Sequence, residues 1–378
     1  MKPQIFSEIA PLEKVFVYSP GDEHNLVLPS DIQPFFSKNN QIIENEEFLL
    51  FDDIIDLKLA KKQHQIFRDI INFYKEDSCI DLRLDLMEIS QKINIKNQYP
   101  LINLMYTRDI AVIVGKSILL TKSSSIVRSE ENILADYLFK NHPLFKDCNI
   151  IDFKEIGKGL SLEGGDIFVL NERIVLIGIS ERTSKEAINI LIPYLFDAGF
   201  DYVVAIDLPK KRAMMHLDTI FTQISKNEAI LFDQNDSFKN LNVYFSSKND
   251  NQKKLNKYDL GIISLLKKLD PAINLTGILC GGGDKIFQLR EQLTDGANSF
   301  ALEPGKIIMY SCNDRTIQEL VENDYKHITS QLFERDILTF EKILRSDSKV
   351  VISIDASELV KGRGGPRCMT LPVRRGIL

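Results

Sequence analysis

The sequence predicts an α/β fold assembled from repeated hairpin–helix units. Three observations predict it. One grammar recurs along the chain: an acid, an apolar strand, a turn, a second strand, then Arg-Ser/Thr opening a helix. The strand segments cluster β-branched and aromatic residues between Gly, Pro and Asn turn signals. The segments after them carry apolar residues at helical spacing behind capping residues. With 44% hydrophobic and 26% charged residues, the 378-residue chain has ordinary globular composition, which excludes disordered, collagen-like and coiled-coil architectures. It is long enough to bury a sizeable core without staples.

In chain order, residues 54–76 predict one amphipathic helix, with Ile55, Leu59, Ile66, Phe67, Ile70 and Tyr74 near one face. The first repeat, DIAVIVGKSILLTK, starts at Asp109 and leads to Arg128-Ser129. The second, DIFVLNERIVLIGIS, starts at Asp166 and leads to Arg182-Thr183. Thr183 with Glu186 forms a capping-box pattern, and Ile188, Leu191, Ile192, Leu195 and Phe196 make one helical stripe ended by Gly199. A hairpin from Asp218, DTIFTQISKNEAILF, keeps the strands and turn but loses the Arg-Ser/Thr step. Residues 246–257 read as a polar surface loop whose lysines are solvated. The last copy, SFALEPGKIIMYSC, has Ser299 where an acid is expected and leads to Arg315-Thr316, with Thr316 and Glu319 as another capping box. The starting acids lie 57 and 52 residues apart, and the pattern then loosens. Repeats of this length bury their faces against one another and can close into a ring around a central channel. No clean linker divides the chain.

Lys plus Arg is 47 and Asp plus Glu is 53, a net charge of −6, so no basic excess points to nucleic acid or an anionic membrane. No apolar run reaches the roughly 18 residues of a membrane span, and the first residues, MKPQIFSEIAPLEKVFVYSPG, carry no stretch of signal-peptide length. Five widely spaced cysteines without a CxxC pair fit a reducing cytoplasm rather than a disulfide framework or zinc site.

Four clusters offer chemistry: Tyr106-Thr107-Arg108-Asp109, Glu163-Gly164-Gly165-Asp166, His216-Leu217-Asp218, and Gly362-Arg363-Gly364-Gly365-Pro366-Arg367-Cys368. The first three sit at hairpin mouths, and repeats arranged about an axis would aim them at one place. On a strand, His216 and Asp218 would share a face. Gly164-Gly165 permits close approach to the backbone, and the Gly-rich run before Cys368 could swing as a gate. Cys368 is a nucleophile candidate whose thiolate the Arg367 cation would favour. A cage of carboxylates repels anions and suits a cation, and a guanidinium pairs with carboxylates in bidentate fashion. Asp109 and Asp218 could grip such a group while Cys368 attacks its carbon. His216, aided by Glu163, could then protonate the departing ammonia and activate water. Taken singly, each residue has an ordinary reading: a core cysteine, a capping His-x-Asp pair, a turn aspartate. Convergence at the hairpin mouths is what favours chemistry. Cys280, before Gly281-Gly282-Gly283, has only Asp284 near it and reads as structural.

These residues resemble arginine deiminases of the guanidine-modifying superfamily. The shared motifs are SEIAPLEKVFVYSPG, LLFDDI at 49–54, NLMYTRD at 103–109, LEGGD at 162–166, MHLDTIF at 215–221, DGANSFALEPGKIIMY at 295–310 and GRGGPRCMTLP at 362–372. The resemblance implies a five-bladed α/β propeller, pentein-like, over residues 1–378 as a single catalytic domain. It implies hydrolysis of L-arginine to L-citrulline and ammonia through a covalent Cys intermediate, with no cofactor and no metal. By motif, Cys368 matches the nucleophile, His216 the acid–base, Asp109 and Asp218 the guanidinium-binding aspartates, and Glu163 the supporting glutamate. Asn103, Arg128, Asp166, Arg182, Gly362 and Arg363 match substrate-binding positions, with Asn103, Arg128, Arg182 and Arg363 on the amino-acid end. Arg128 and Arg182 each follow an acid, Asp109 and Glu163, by 19 residues, so paired arginines could hold an α-carboxylate. Two departures stand out: residues 55–102 leave room for a long helix and a short one in place of a larger helical insertion, and Ser311-Cys312-Asn313 replaces the usual Arg-Asn step. The reduced insertion leaves a homo-oligomer open. Competing readings are an amidinotransferase, a deiminase of another guanidino compound, a catalytically dead arginine-binding protein, and an iron/2-oxoacid oxygenase using His216-x-Asp218 with His327 and Arg335.

Overall fold

A computed structural model of the chain describes residues 2–38, 41–96, 98–233, 238 and 240–378. Among them, five sheets share one plan, an antiparallel hairpin whose inner strand takes a parallel partner. Ala111–Val114 and Ser117–Leu120 pair with Asn149–Asp152. Ile167–Val169 and Ile174–Ile179 pair with Tyr202–Asp207. Phe221–Gln223 and Glu228–Leu231 pair with Thr276–Leu279. Phe300–Glu303 and Lys306–Tyr310 pair with Lys349–Ile354, which Tyr325–Thr329 flanks in parallel. In the fifth sheet Leu371–Arg375 runs antiparallel to Leu12–Val17, which is parallel to Cys79–Asp81. A parallel pair needs a crossover, and each inner strand is followed by a helix that provides one: Ser129–Asn141, Lys185–Asp197, Gly261–Leu269, Asp314–Glu322 and Leu57–Tyr74. The strand Ile174–Ile179 is buried along its whole length, which explains its unbroken apolar run.

Several local expectations shift. The helix expected at 54–76 spans Leu57–Tyr74, because the Asp56 carboxylate accepts the Leu59 N–H and starts it there. Leu59 faces solvent, while Ala60, Gln63, His64 and Ile71 join the buried side. Ser184, not Thr183, caps Lys185–Asp197; the Thr183 hydroxyl accepts from the Glu163 backbone N–H instead. Thr316 lies inside Asp314–Glu322 and donates to Glu291, whose carboxylate also takes the Arg315 N–H and the Thr316 N–H that a capping box would have left to Glu319. The polar loop at 246–257 begins and ends in strand: Val243–Ser247 pairs antiparallel with both Tyr202–Asp207 and Asn256–Tyr258. Its lysines are exposed, as expected. Among the described residues no helix is long and apolar enough to cross a membrane.

Candidate active site

The hairpin mouths do not open directly as strands. Each is a short 3-10 turn, Thr107–Asp109, Gly164–Asp166 and Leu217–Thr219, seated just before its first strand. Around these turns lies a cavity of about 30 Å³ lined by Asn103, Asp109, Arg128, Glu163, Arg182, His216, Gly362, Arg363 and Cys368, together with Leu50, Tyr106 and Met215. Of the residues singled out in the sequence, Asp218 and Asp166 are not in this lining. Asp218 is one layer deeper, with Oδ2 3.4 Å from the Cys368 Sγ and 2.9 Å from Arg367 Nη1. Asp166 is behind His216, where its carboxylate accepts from Ser180 Oγ and the Leu217 N–H. His216 and Asp218 therefore do not share a strand face. Because a 3-10 turn begins between them, one turns to Glu163 and the other to Cys368.

His216 Nε2 is 2.8 Å from Glu163 Oε2, and Nδ1 is 3.9 Å from Asp109 Oδ1. Only glycine fits at 165: a Cβ there would lie 2.4 Å from His216 Nδ1. Asp109 is fully engaged, with Oδ2 on Arg128 at 2.8 Å and Oδ1 accepting the Gly165 N–H at 3.0 Å. Glu163 Oε1 accepts from the Ser123 hydroxyl and from the Ser124 hydroxyl and N–H. Arg128 spends its donors inside the protein, on Asp109, Glu131 and the carbonyls of Asn103 and Tyr106. Arg182 reaches Ser124 at 3.2 Å and Glu163 at 3.8 Å. Arg363 donates to the Leu293 carbonyl and lies 3.6 Å from Asp52. Asn103 donates to the Leu49 carbonyl. The Gly-rich run is packed tightly: a Cβ on Gly362 or Gly364 would overlap the Tyr106 ring.

Burial opposes charge on His216, but Asp109, Glu163 and Asp166 outweigh it and push its pKa up to about 10. Burial would also raise Glu163, yet Arg182 and the bond to His216 hold it well below the usual carboxylate range. Burial, reinforced by Asp218, Asp109 and Asp295, pushes the Cys368 thiol well up, against the opposing pull of Arg367. At neutral pH these shifts favour an imidazolium at His216 and a neutral thiol at Cys368. Donor atoms of Asp109, Glu163 and His216 approach within 4.8 Å of one another. Charged imidazolium and carboxylates already occupied by Arg128, Gly165 and the serines make that set a poor metal cage. His327 is on the strand Tyr325–Thr329, bonded to Ser353, so the facial triad imagined with His216 and Asp218 is not assembled.

The sequence reading missed Leu50, Met215 and above all Asn298, whose side chain contacts Cys368 Sγ at 3.2 Å. Asn298 lies inside DGANSFALEPGKIIMY, but no local signal distinguishes it from its neighbours.

Sheet plan and cavity together define an α/β protein with a buried cysteine, histidine and carboxylates at the mouths of repeated hairpins. The arginine deiminase family model matches residues 70–375. The arginine deiminase of Borreliella afzelii is 30% identical over 438 aligned positions, covering 98% of this chain and 97% of that protein. That of Mycoplasma capricolum subsp. capricolum is 32% identical over 438 positions, covering 99% and 97%. Among solved structures, the product-bound N-terminal domain of ArgZ, a cyanobacterial arginine dihydrolase, superposes with a TM-score of 0.57 at 14% identity, covering 97% of this chain and 99% of that one. The last of these likenesses speaks for the fold alone. The chain belongs to the arginine deiminase family.

Proposed function

We propose that this protein hydrolyses L-arginine to L-citrulline and ammonia through an amidino intermediate on Cys368. The observation that carries this is the meeting of Cys368, His216, Asp109 and Glu163 around one cavity, where acidic neighbours favour the cationic imidazole and burial, with those acids, favours the neutral thiol. An entering guanidinium adds positive charge beside Cys368, where Asp218, Asp109 and Asp295 oppose its ionisation. It offsets Asp109 and Asp218, and the thiol can then ionise, with Asp218 Oδ2 at 3.4 Å to accept its proton. The thiolate attacks the guanidinium carbon; the C–N bond to the departing nitrogen breaks as His216 gives it a proton. Neutral His216 next takes a proton from water, whose oxygen adds to the amidino carbon; the C–S bond then breaks as the new hydroxyl gives up its proton, which the released ammonia takes up, so that citrulline leaves and the thiolate recovers its proton from Asp218.

Asn103, Arg182, Gly362 and Arg363 are suited to the amino-acid end. Arg128 serves by fixing Asp109, since its donors are already committed. Asp166 serves by holding Leu217 and so the turn that carries His216. The cavity as it stands is too small for an amino acid, so part of its wall must give way. Leu50 and Arg363, with φ of 68° and 59°, are its strained positions. The five like sheets fit five blades about this cavity, with residues 1–378 as one catalytic domain and 55–102 standing for a larger insertion. Net negative charge and free thiols fit a cytoplasmic, small-molecule enzyme without nucleic-acid partners.

Purified protein given L-arginine is expected to yield equimolar citrulline and ammonia, and acid-quenched protein a mass adduct on Cys368. Cys368→Ser should bind arginine without turnover. Wild-type turnover by that variant would sink the assignment.

A further inference from the structure

Three hairpin mouths carry carboxylates: Asp109 in the cavity wall, Asp218 beside Cys368 and Asp166 behind His216. The fourth, just before Phe300–Glu303, presents an uncharged amide, Asn298, fully buried. Its backbone and side chain bracket the Cys368 segment. The Asn298 carbonyl accepts the Arg367 N–H at 3.4 Å and Oδ1 accepts the Cys368 N–H at 3.1 Å. Because Oδ1 faces that N–H, the amide orientation is fixed, and Nδ2 donates to Cys368 Sγ at 3.2 Å and to the Asp218 carbonyl at 3.2 Å. Gly365 permits the approach, since a Cβ there would lie 2.7 Å from the Asn298 side chain.

We propose that Asn298 is a catalytic residue that holds the nucleophile in place through the Cys368 N–H and supplies the hydrogen bond its sulfur needs as an anion. This rests on the reading of Cys368 as nucleophile. The sulfur carries negative charge twice in the cycle, on attack and on departure from the amidino carbon. A donor bond to a thiolate is stronger than one to a thiol, so Asn298 favours both events. An acid at this fourth mouth, as at the other three, would oppose them. The groups facing Cys368 make such a donor necessary: Asp218, Asp109 and Asp295 disfavour the anion, while Arg367 favours it.

Two variants divide the two bonds. Asn298→Asp keeps an acceptor for the Cys368 N–H but loses the donor to sulfur; Asn298→Ala loses both. Full-length protein is alkylated with iodoacetamide across pH 6–11, with the 240 nm thiolate absorbance followed alongside and Cys368→Ser as blank. In both variants the Cys368 ionisation is expected to move up by about one unit or more, with alkylation at fixed pH about tenfold or more slower. The fall in kcat should exceed the change in KM, because Asn298 does not line the cavity. Melting curves confirm folding, and either folded variant suffices. An unchanged ionisation in a folded variant overturns the role of Asn298. A wild-type profile that Cys368→Ser reproduces overturns the nucleophile itself, a separate failure.

Discussion

His216 carries the pH behaviour of the molecule at the level of single residues. Its pKa is raised from the usual 6.5 to about 10, so its contribution to stability is complete below about pH 6.5 and is lost as pH climbs through about 10. The urea midpoint should therefore decline across that window, each unit of pKa difference being worth about 1.4 kcal/mol. His216→Asn should flatten the decline; an equal slope in the variant would assign it elsewhere. The free thiol of Cys368 should show little 240 nm thiolate absorbance at pH 7, because burial and Asp218 favour its neutral form. Cys368, His216 and Glu163 were legible because their residue types are rare together and each sits in a distinctive motif. Asn298 was not. Its meaning lies in a contact with a sulfur 70 positions away, and nothing in an Asn-Ser dipeptide announces it.

Turns and caps, at the next scale, decide where those residues point. Gly165→Ala would press a methyl group against His216, at 2.4 Å before any shift. Such overpacking costs about 1–3 kcal/mol, and displacing the imidazole should lower kcat by roughly 100-fold, measurable against an unchanged far-UV spectrum. Ser184→Ala removes the cap of Lys185–Asp197 and should lower stability by about 1 kcal/mol with turnover retained. A large activity loss there would tie that helix directly to the site. Strands such as Ile174–Ile179 were readable from apolar composition between turn residues. The caps were misplaced because the deciding partners were elsewhere: Ser184 competed locally with Thr183, and Glu291 capped a helix from a distant segment. The turn at 217–219 defeated the expectation of a strand because three residues suffice for a 3-10 turn and leave no periodicity to detect.

For the whole molecule, one sheet joins segments from opposite ends of the sequence. Leu371–Arg375 lies against Leu12–Val17, and the Arg375 guanidinium donates to the carbonyls of Ala10 and Ala301. Removing residues 371–378 should abolish the cooperative melt, read by circular dichroism, instead of merely shortening the protein. A truncated chain melting like the full one would show that this seam is dispensable. Four hairpins were legible because each is contiguous; the fifth was hidden because its two strands never appear side by side in the sequence. The same seam sets an order of events during synthesis. Strand 12–17 emerges well before its outer neighbour at 371–375, and the sulfur arrives three positions ahead of that neighbour. A polypeptide clipped before residue 368 lacks the sulfur outright, and one clipped just after it keeps the sulfur but loses the strand that flanks 12–17, so proteolysis at this seam would silence the proposed reaction.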